Sequence, residues 1–332
     1  MDYRLLGATG VKISRLAFGT MSFGGDADEA MSRQLFERCL AAGINHFDTA
    51  DVYNDGASER LLGSFLAAAG CRDEVVLASK GYFPTGKDVN ARGASRFHLV
   101  RAVEASLRRL ATDRIDLYYI HRFDDITALD ESLRALDDLV RQGKILYPAV
   151  SNFAAWQVEK ALGVSERLSL AKVVALQPMY NLTKRQAEVE ILPMAAAERL
   201  AVFCYSPTAG GLLTGKYSMA DRPGGGRLVA NEMYRTRYAG DAYFEVAERF
   251  TAMARERGVH PAAMAVAWVA SHPAVTAALI GARNLDQLDS VIGALDIPMG
   301  EAERAAISAL TPEPPPATDR NEEKSAHNYG SR

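Results

Sequence analysis

Eight short apolar runs recur along this chain, each followed by a longer segment of helical period, and that alternation leaves few folds open. The runs are RLAFGT, INHFDT, EVVLAS, IDLYYIH, KILYPAVS, VVALQP, AVFCYS and VTAALIG. Between them lie amphipathic patterns such as SRFHLVRAVEASLRRLA, with Leu99, Val103, Leu107 and Leu110 on one stripe. Asp28 and Ser95 stand where helices need N-caps, and Gly43 and Gly143 stand where helices must stop before the next strand. Eight such units in succession predict an α/β fold, a (β/α)8 TIM barrel whose strand C-termini share one face. A doubly wound open sheet is the competing architecture, but it rarely needs eight consecutive parallel strands.

Three segments fall outside the repeat. YRLLGATGVKIS, residues 3–14, reads as an N-terminal β-hairpin that can plug the barrel's N-terminal mouth. Residues 207–240, with LLTGKY and PGGGR, form a loop after the seventh strand too long for a connector, and so a candidate binding loop. The end is Pro-rich and then polar, which divides the chain into one barrel domain, 1–311, and a C-terminal tail, 312–332, extended or disordered.

A net charge of −3 gives no field for holding phosphate backbones or anionic lipid, so nucleic acid and membrane are poor partners and a small molecule is the expected ligand. Cys39, Cys71 and Cys204 are odd in number and widely spaced, against both a disulfide framework and a zinc site. No apolar leader and no membrane-length run is present, and a cytoplasmic location is expected. The oligomeric state is not legible.

The chemistry concentrates at three successive strand ends: Asp48 and Tyr53 in NHFDTADVY, Lys80 closing VVLASK, and His121 closing LYYIH. Neighbouring parallel strands deliver these groups to one place. A phenol can donate a proton, a Lys80 ammonium beside it favours the phenolate and lowers its pKa, and a buried Asp48 holds that ammonium charged and oriented. His121 can hydrogen-bond the same substrate oxygen. Read singly, Asp48 fits a turn, His121 a structural histidine and Lys80 a solvated edge charge; their joint placement argues for chemistry. His46, Asp48 and His121 as metal ligands would leave Tyr53 and Lys80 unexplained, so no metal is expected.

The four describe a general acid aimed at a carbonyl, and none of them supplies hydride, so a cofactor is required. Ser151, Asn152 and Gln177 after the fifth and sixth strands can read a carboxamide, and Tyr205 with Ser206 after the seventh offers a ring to stack on a flat heterocycle. GARNLDQL puts Gly281 and Arg283 at a helix start, suited to a phosphate, which favours NADPH with NADH as the alternative. No G-x-G-x-x-G follows the first strand, against a Rossmann mode. Met21, Tyr82, Phe83, Arg122 and Phe123 border the strand ends as the candidate substrate wall.

FDTADVYNDGASERLLG, ASLRRLATDRIDLYYIH, GKILYPAVSNF, QPMYN and YSPTAGGLLTGKY, in that order, resemble the aldo-keto reductase superfamily over nearly the whole chain. The resemblance implies a barrel that binds NADPH in extended form and reduces an aldehyde or ketone reversibly, with Tyr53 as general acid, Lys80 and Asp48 tuning it and His121 positioning the carbonyl. It carries cofactor roles to Gly19, Thr20 and Met21, to Ser151, Asn152, Gln177 and Tyr205, to Ser206, Pro207, Thr208, Ala209, Gly210 and Lys216 over the pyrophosphate, to Arg227, and to Gly281, Arg283 and Gln287 at the adenosine phosphate. Some members act as channel-associated subunits, so a cofactor-binding regulatory or redox-sensing subunit with little turnover is the alternative. Three departures from the pattern stand out: Thr208 where Leu is usual, Pro148 within the fifth strand, where a local irregularity is expected, and Ser290 with Val291 in place of a Glu-Asn pair that reaches the adenine.

Overall fold

The structure is a computed structural model that describes residues 1–222 and 226–317, without the side chains of Arg227 and Ala230. A two-stranded antiparallel hairpin, β1 (Tyr3–Leu5) and β2 (Lys12–Ser14), precedes the barrel. The barrel strands are β3 (Leu16–Gly19), β4 (His46–Asp48), β5 (Val76–Gly81), β6 (Ile115–Ile120), β7 (Ile145–Ser151), β8 (Ala175–Gln177), β9 (Ala201–Tyr205) and β10 (Ala277–Ile280). All pair in parallel and in chain order, and β10 closes on β3. The eight expected strands are thus present, trimmed at most ends because residues such as Thr20 and Thr49 already turn into the following loops.

Alternation along the strands separates two cores. Leu16, Phe18, Phe47, Leu77, Tyr118, Ile120, Val150 and Val202 face outward beneath the helices. Ala17, Ala78, Leu117, Tyr119, Ala149, Ala175, Ala201, Phe203 and Ala277 face inward. Both sets are buried, which is why these strands read as continuous apolar runs rather than as apolar–polar alternation. Leu6 and Ile13 of the hairpin are fully buried within the inner set, so the hairpin plugs the barrel floor. Asp28 and Ser95 accept the expected capping bonds from Met31 N (2.8 Å) and His98 N (3.2 Å).

Pro148 corrects an expectation. It sits inside an unbroken seven-residue β7, opposite Tyr118, with no interruption. Its carbonyl accepts from Val174 N at 3.0 Å, so the position of its missing N–H faces β8, and pairing with β8 begins only at Ala149. No ladder donor is lost there.

The connection after β9 is more structured than a loop. It contains a 3₁₀ segment, Ala209–Thr214, and short helices Arg227–Ala230 and Glu232–Arg237, before two longer helices, Asp241–Glu256 and Pro261–Ala270, return the chain to β10. The last helix is Glu301–Ser308; residues 312–317 carry no helix or strand, and the remainder of the expected tail, 318–332, lies outside the described residues. Among the described residues no helix is long and apolar enough to cross a membrane.

Candidate active site

The C-terminal end of the barrel opens into a cavity of about 1040 Å³, and the three strand ends singled out in the sequence meet at its floor. Asp48 ends β4, Lys80 is the penultimate residue of β5, and His121 follows β6 directly. Tyr53 arrives differently, at the end of a turn after β4. Asp51 N donates to Lys80 O at 3.1 Å, and the next residues, Asn54 and Asp55, take left-handed backbone, which Asn and Asp tolerate better than most side chains. Asn54 Nδ2 ties this turn to the loop after β3, donating to Met21 O (2.9 Å) and Phe23 O (2.8 Å).

Lys80 is fully buried and spends its three ammonium donors on Asp48 Oδ1, on Thr49 O at 2.9 Å and on Tyr53 Oη at 3.5 Å. The other Asp48 oxygen accepts from Gln177 Nε2 at 2.8 Å. Burial alone would lower the Lys80 pKa, but the Asp48 charge and then Tyr53 outweigh it, so the ammonium is held above its ordinary range. Burial lifts the Tyr53 phenol above its ordinary value, with Lys80 pulling the other way. The lowering expected from Lys80 is thus outweighed by burial, the net direction is upward, and Tyr53 keeps its proton at neutral pH. Burial and then the Lys80 charge drive His121 well below its ordinary pKa, leaving a neutral imidazole edge-on to Tyr53 (ring centroids 6.0 Å) and Phe83 (4.9 Å).

Opposite these groups, Ser151, Asn152, Gln177 and Tyr205 line the same cavity. Asn152 donates to His121 O (3.0 Å) and accepts from the Tyr205 hydroxyl (2.7 Å), which links β6, β7 and β9 across the site. Burial pushes the Tyr205 phenol up to about 12, against the charge of Arg237. Gly19 and Met21 reach the cavity; Thr20 is buried behind it, its hydroxyl donating to Asp48 O at 3.2 Å. Ser206, Pro207, Thr208 and Gly210 line the wall, with Ala209 buried beneath. Gly210 has φ +68°, and a Cβ there would stand 2.5 Å from the Tyr234 ring, so only glycine suits both the backbone and the contact.

At the far end are Lys216, Gly281, Arg283 and Gln287. Burial and then the nearby Arg283 charge lower the Lys216 pKa, as two cations facing one space require. Ser290 and Val291 also line this end, but the Ser290 hydroxyl turns back to Gln287 O at 2.8 Å. The side chain of Arg227 lies outside the described residues. Of the expected substrate wall, Met21, Phe83 and Arg122 line the cavity. Tyr82 packs edge-on to Phe83, and Phe123 to Phe153 and Trp156, both outside the lining.

The sequence matches the Aldo/keto reductase family over residues 15–311. The chain belongs to that family. It is 37% identical over 326 residues to the uncharacterized oxidoreductase YrpG of Bacillus subtilis, covering 95% of this chain and 97% of that one. It is 35% identical over 318 residues to a probable voltage-gated potassium channel subunit beta of Oryza sativa, covering 94% of each chain. A versiconal hemiacetal acetate reductase of Aspergillus parasiticus is 30% identical over 329 residues, covering 90% of this chain and 93% of that one. Membership makes the chain an oxidoreductase served by a nicotinamide cofactor.

Two features of this aldo/keto reductase are not singled out by its sequence. Within the candidate binding loop, Tyr234 and Arg237 of the helix Glu232–Arg237 line the cavity, although nothing periodic marks those two positions. Behind the Tyr53 turn, Asp51 is 3% exposed, and neither carboxylate oxygen has a hydrogen-bond partner among the described residues; the buried Tyr118 hydroxyl is likewise unpartnered. Burial first, then the neighbouring Glu59, raises the Asp51 carboxyl to about 7, against Arg109 and Lys80. A carboxyl raised on folding keeps its proton while the unfolded chain ionises, so its contribution to stability is present below about pH 4 and is lost as the pH rises to about 7. In denaturant titrations at several pH values, Asp51→Asn is therefore expected to gain on the parent from pH 4 to 7, by as much as about 4 kcal/mol, and to gain nothing further above. A gap independent of pH would rule out the buried protonated carboxyl.

Proposed function

We propose that this protein reduces an aldehyde or ketone to the alcohol, reversibly, with NADPH as hydride donor and Tyr53 as proton donor. The observation that carries the reading is the buried chain Asp48–Lys80–Tyr53 ending at the cavity floor beside neutral His121. The residues present fit a nicotinamide dinucleotide: hydroxyl and amide side chains with a flat ring at the Tyr53 end, and at the other end Lys216 and Arg283 without a carboxylate in ion-pair distance among the described residues. When bound, the cofactor supplies the hydride. Tyr53 Oη gives its proton to the carbonyl oxygen, and the Lys80 ammonium, held charged by Asp48, stabilises the phenolate that results. His121, neutral, holds the carbonyl oxygen in line.

The test is loss of cofactor absorbance when the protein is mixed with NADPH and a panel of aldehydes and ketones; no turnover of any of them would favour the second reading. That reading, a cofactor-binding regulatory subunit, draws on the relative named as a channel subunit. The intact set of Asp48, Lys80, Tyr53 and His121 favours turnover.

Arg283 supports NADPH over NADH. Arg283→Ala is expected to weaken NADPH binding by roughly 10- to 100-fold, the worth of a charge-assisted phosphate contact. NADH, without the 2′-phosphate, should lose far less, and equal losses in fluorescence titrations would place Arg283 elsewhere on the cofactor.

A further inference from the structure

Four cations line the cavity, and they stand at two separate ends of it. Lys216 and Arg283 stand together at the Gln287 end, close enough for one charge to act on the other. At the opposite end, two further cations line the cavity: Arg122, which follows His121 directly, and Arg237, from the helix Glu232–Arg237. Arg237 is half-buried, its guanidinium 5.2 Å over the Tyr234 ring, and its charge acts on Tyr205 and Tyr238. Tyr234 acts electrostatically on Tyr53, and both Tyr234 and Tyr53 act on Tyr205, so this helix sits over the Tyr53 end rather than the Lys216 end.

Neither Arg122 nor Arg237 has a carboxylate within ion-pair distance among the described residues. The two carboxylates that line the cavity are otherwise placed: Asp48 is bound to Lys80, and Asp286 lies on the helix Leu285–Ile292 at the far end. Phe83 and Met21 add apolar wall between the floor and the mouth.

We infer that Arg237, with Arg122, forms an oxyanion subsite, and that the carbonyl substrate carries a carboxylate or phosphate a ring's length or so from the reacting carbon. The inference rests on the reductase reading above and gives it a substrate class. A guanidinium half-withdrawn from water and preoriented on an aromatic face gains more from an anion than a fully exposed one does. Neutral aldehydes reach the same floor without that contact.

The experiment compares 4-carboxybenzaldehyde, 4-formylphenyl phosphate and the neutral methyl 4-formylbenzoate with the full-length protein and NADPH. At least one anion is expected to exceed the ester in kcat/KM by roughly 10- to 100-fold, through KM, with the advantage shrinking as salt is raised. The first two substrates distinguish carboxylate from phosphate as the anion. Arg237→Gln should bring the anion-to-ester ratio towards one, Arg237→Lys should restore part of it, and Arg122→Gln should lower it less. Equal kcat/KM for acid and ester in the parent overturns the subsite. So does a loss of NADPH affinity of about tenfold or more in Arg237→Gln, which would make Arg237 a cofactor residue. If none of the three is turned over, the reductase reading fails separately. Calorimetric titration of the NADP⁺-treated protein with 4-(hydroxymethyl)benzoate and its methyl ester then decides the subsite: tighter binding of the acid, lost in Arg237→Gln, sustains it, and equal binding ends it.

Discussion

Tyr53→Phe is expected to lower kcat for carbonyl reduction by about 10²- to 10⁴-fold, the range for removing a positioned general acid. The substitution removes one oxygen and leaves a ring that can still stand edge-on to His121, 6.0 Å away. NADPH affinity should therefore hold while turnover collapses. The phenol is well suited to the role: burial keeps it protonated in the resting state, and Lys80 at 3.5 Å is ready to stabilise the phenolate once the proton leaves. A variant reducing aldehydes as fast as the parent would assign the proton to another group, with His121 the next to test by substitution.

Lys80→Met tests the support beneath that phenol, and its effect should appear in stability as well as rate. Lys80 and Asp48 are 0% and 1% exposed as side chains, so removing the ammonium strands a carboxylate whose remaining side-chain partner is Gln177 Nε2 at 2.8 Å. Breaking a buried pair from one side costs about 3–5 kcal/mol. Removing the charge from both sides should not: Lys80→Met combined with Asp48→Asn is expected to recover most of the loss in urea titrations while turnover stays low. Stability and turnover recovering together would mean that the pair acts only as a structural support.

The barrel was legible because both faces of its strands are buried, which leaves continuous apolar runs such as Ile115–Ile120 between helical segments. Asp48, Lys80 and His121 could be placed because each stands at or beside the end of such a run. The strand end placed Tyr53 near the site, but its exact approach depends on a turn with left-handed Asn54 and Asp55 and on bonds to the loop after β3, which no strand pattern encodes. Arg237 and Tyr234 fall within the candidate binding loop, 207–240, but could not be singled out there, for a different reason. Their helix has six residues and is held by contacts such as Tyr234 on Gly210, which no local pattern encodes. Pro148 leaves β7 regular because pairing with β8 begins one residue later, at Ala149, a register that the local sequence does not carry.

The hairpin at the floor of the barrel has a consequence for how protons travel. Leu6 and Ile13 close the lower mouth, and Leu117, Tyr119, Phe203 and a ring of alanines fill the space above it. Beneath Lys80 and Asp48 the filling is buried and mostly apolar, its polar groups the His46 imidazole against Phe203 and the Tyr119 hydroxyl, and the hairpin closes it from below. Under the proposed reduction, a proton given up by Tyr53 is then replaced through the opening by which substrate enters and alcohol leaves. On that reading product departure and recharging of the acid share one doorway, and a ligand that lingers there delays both.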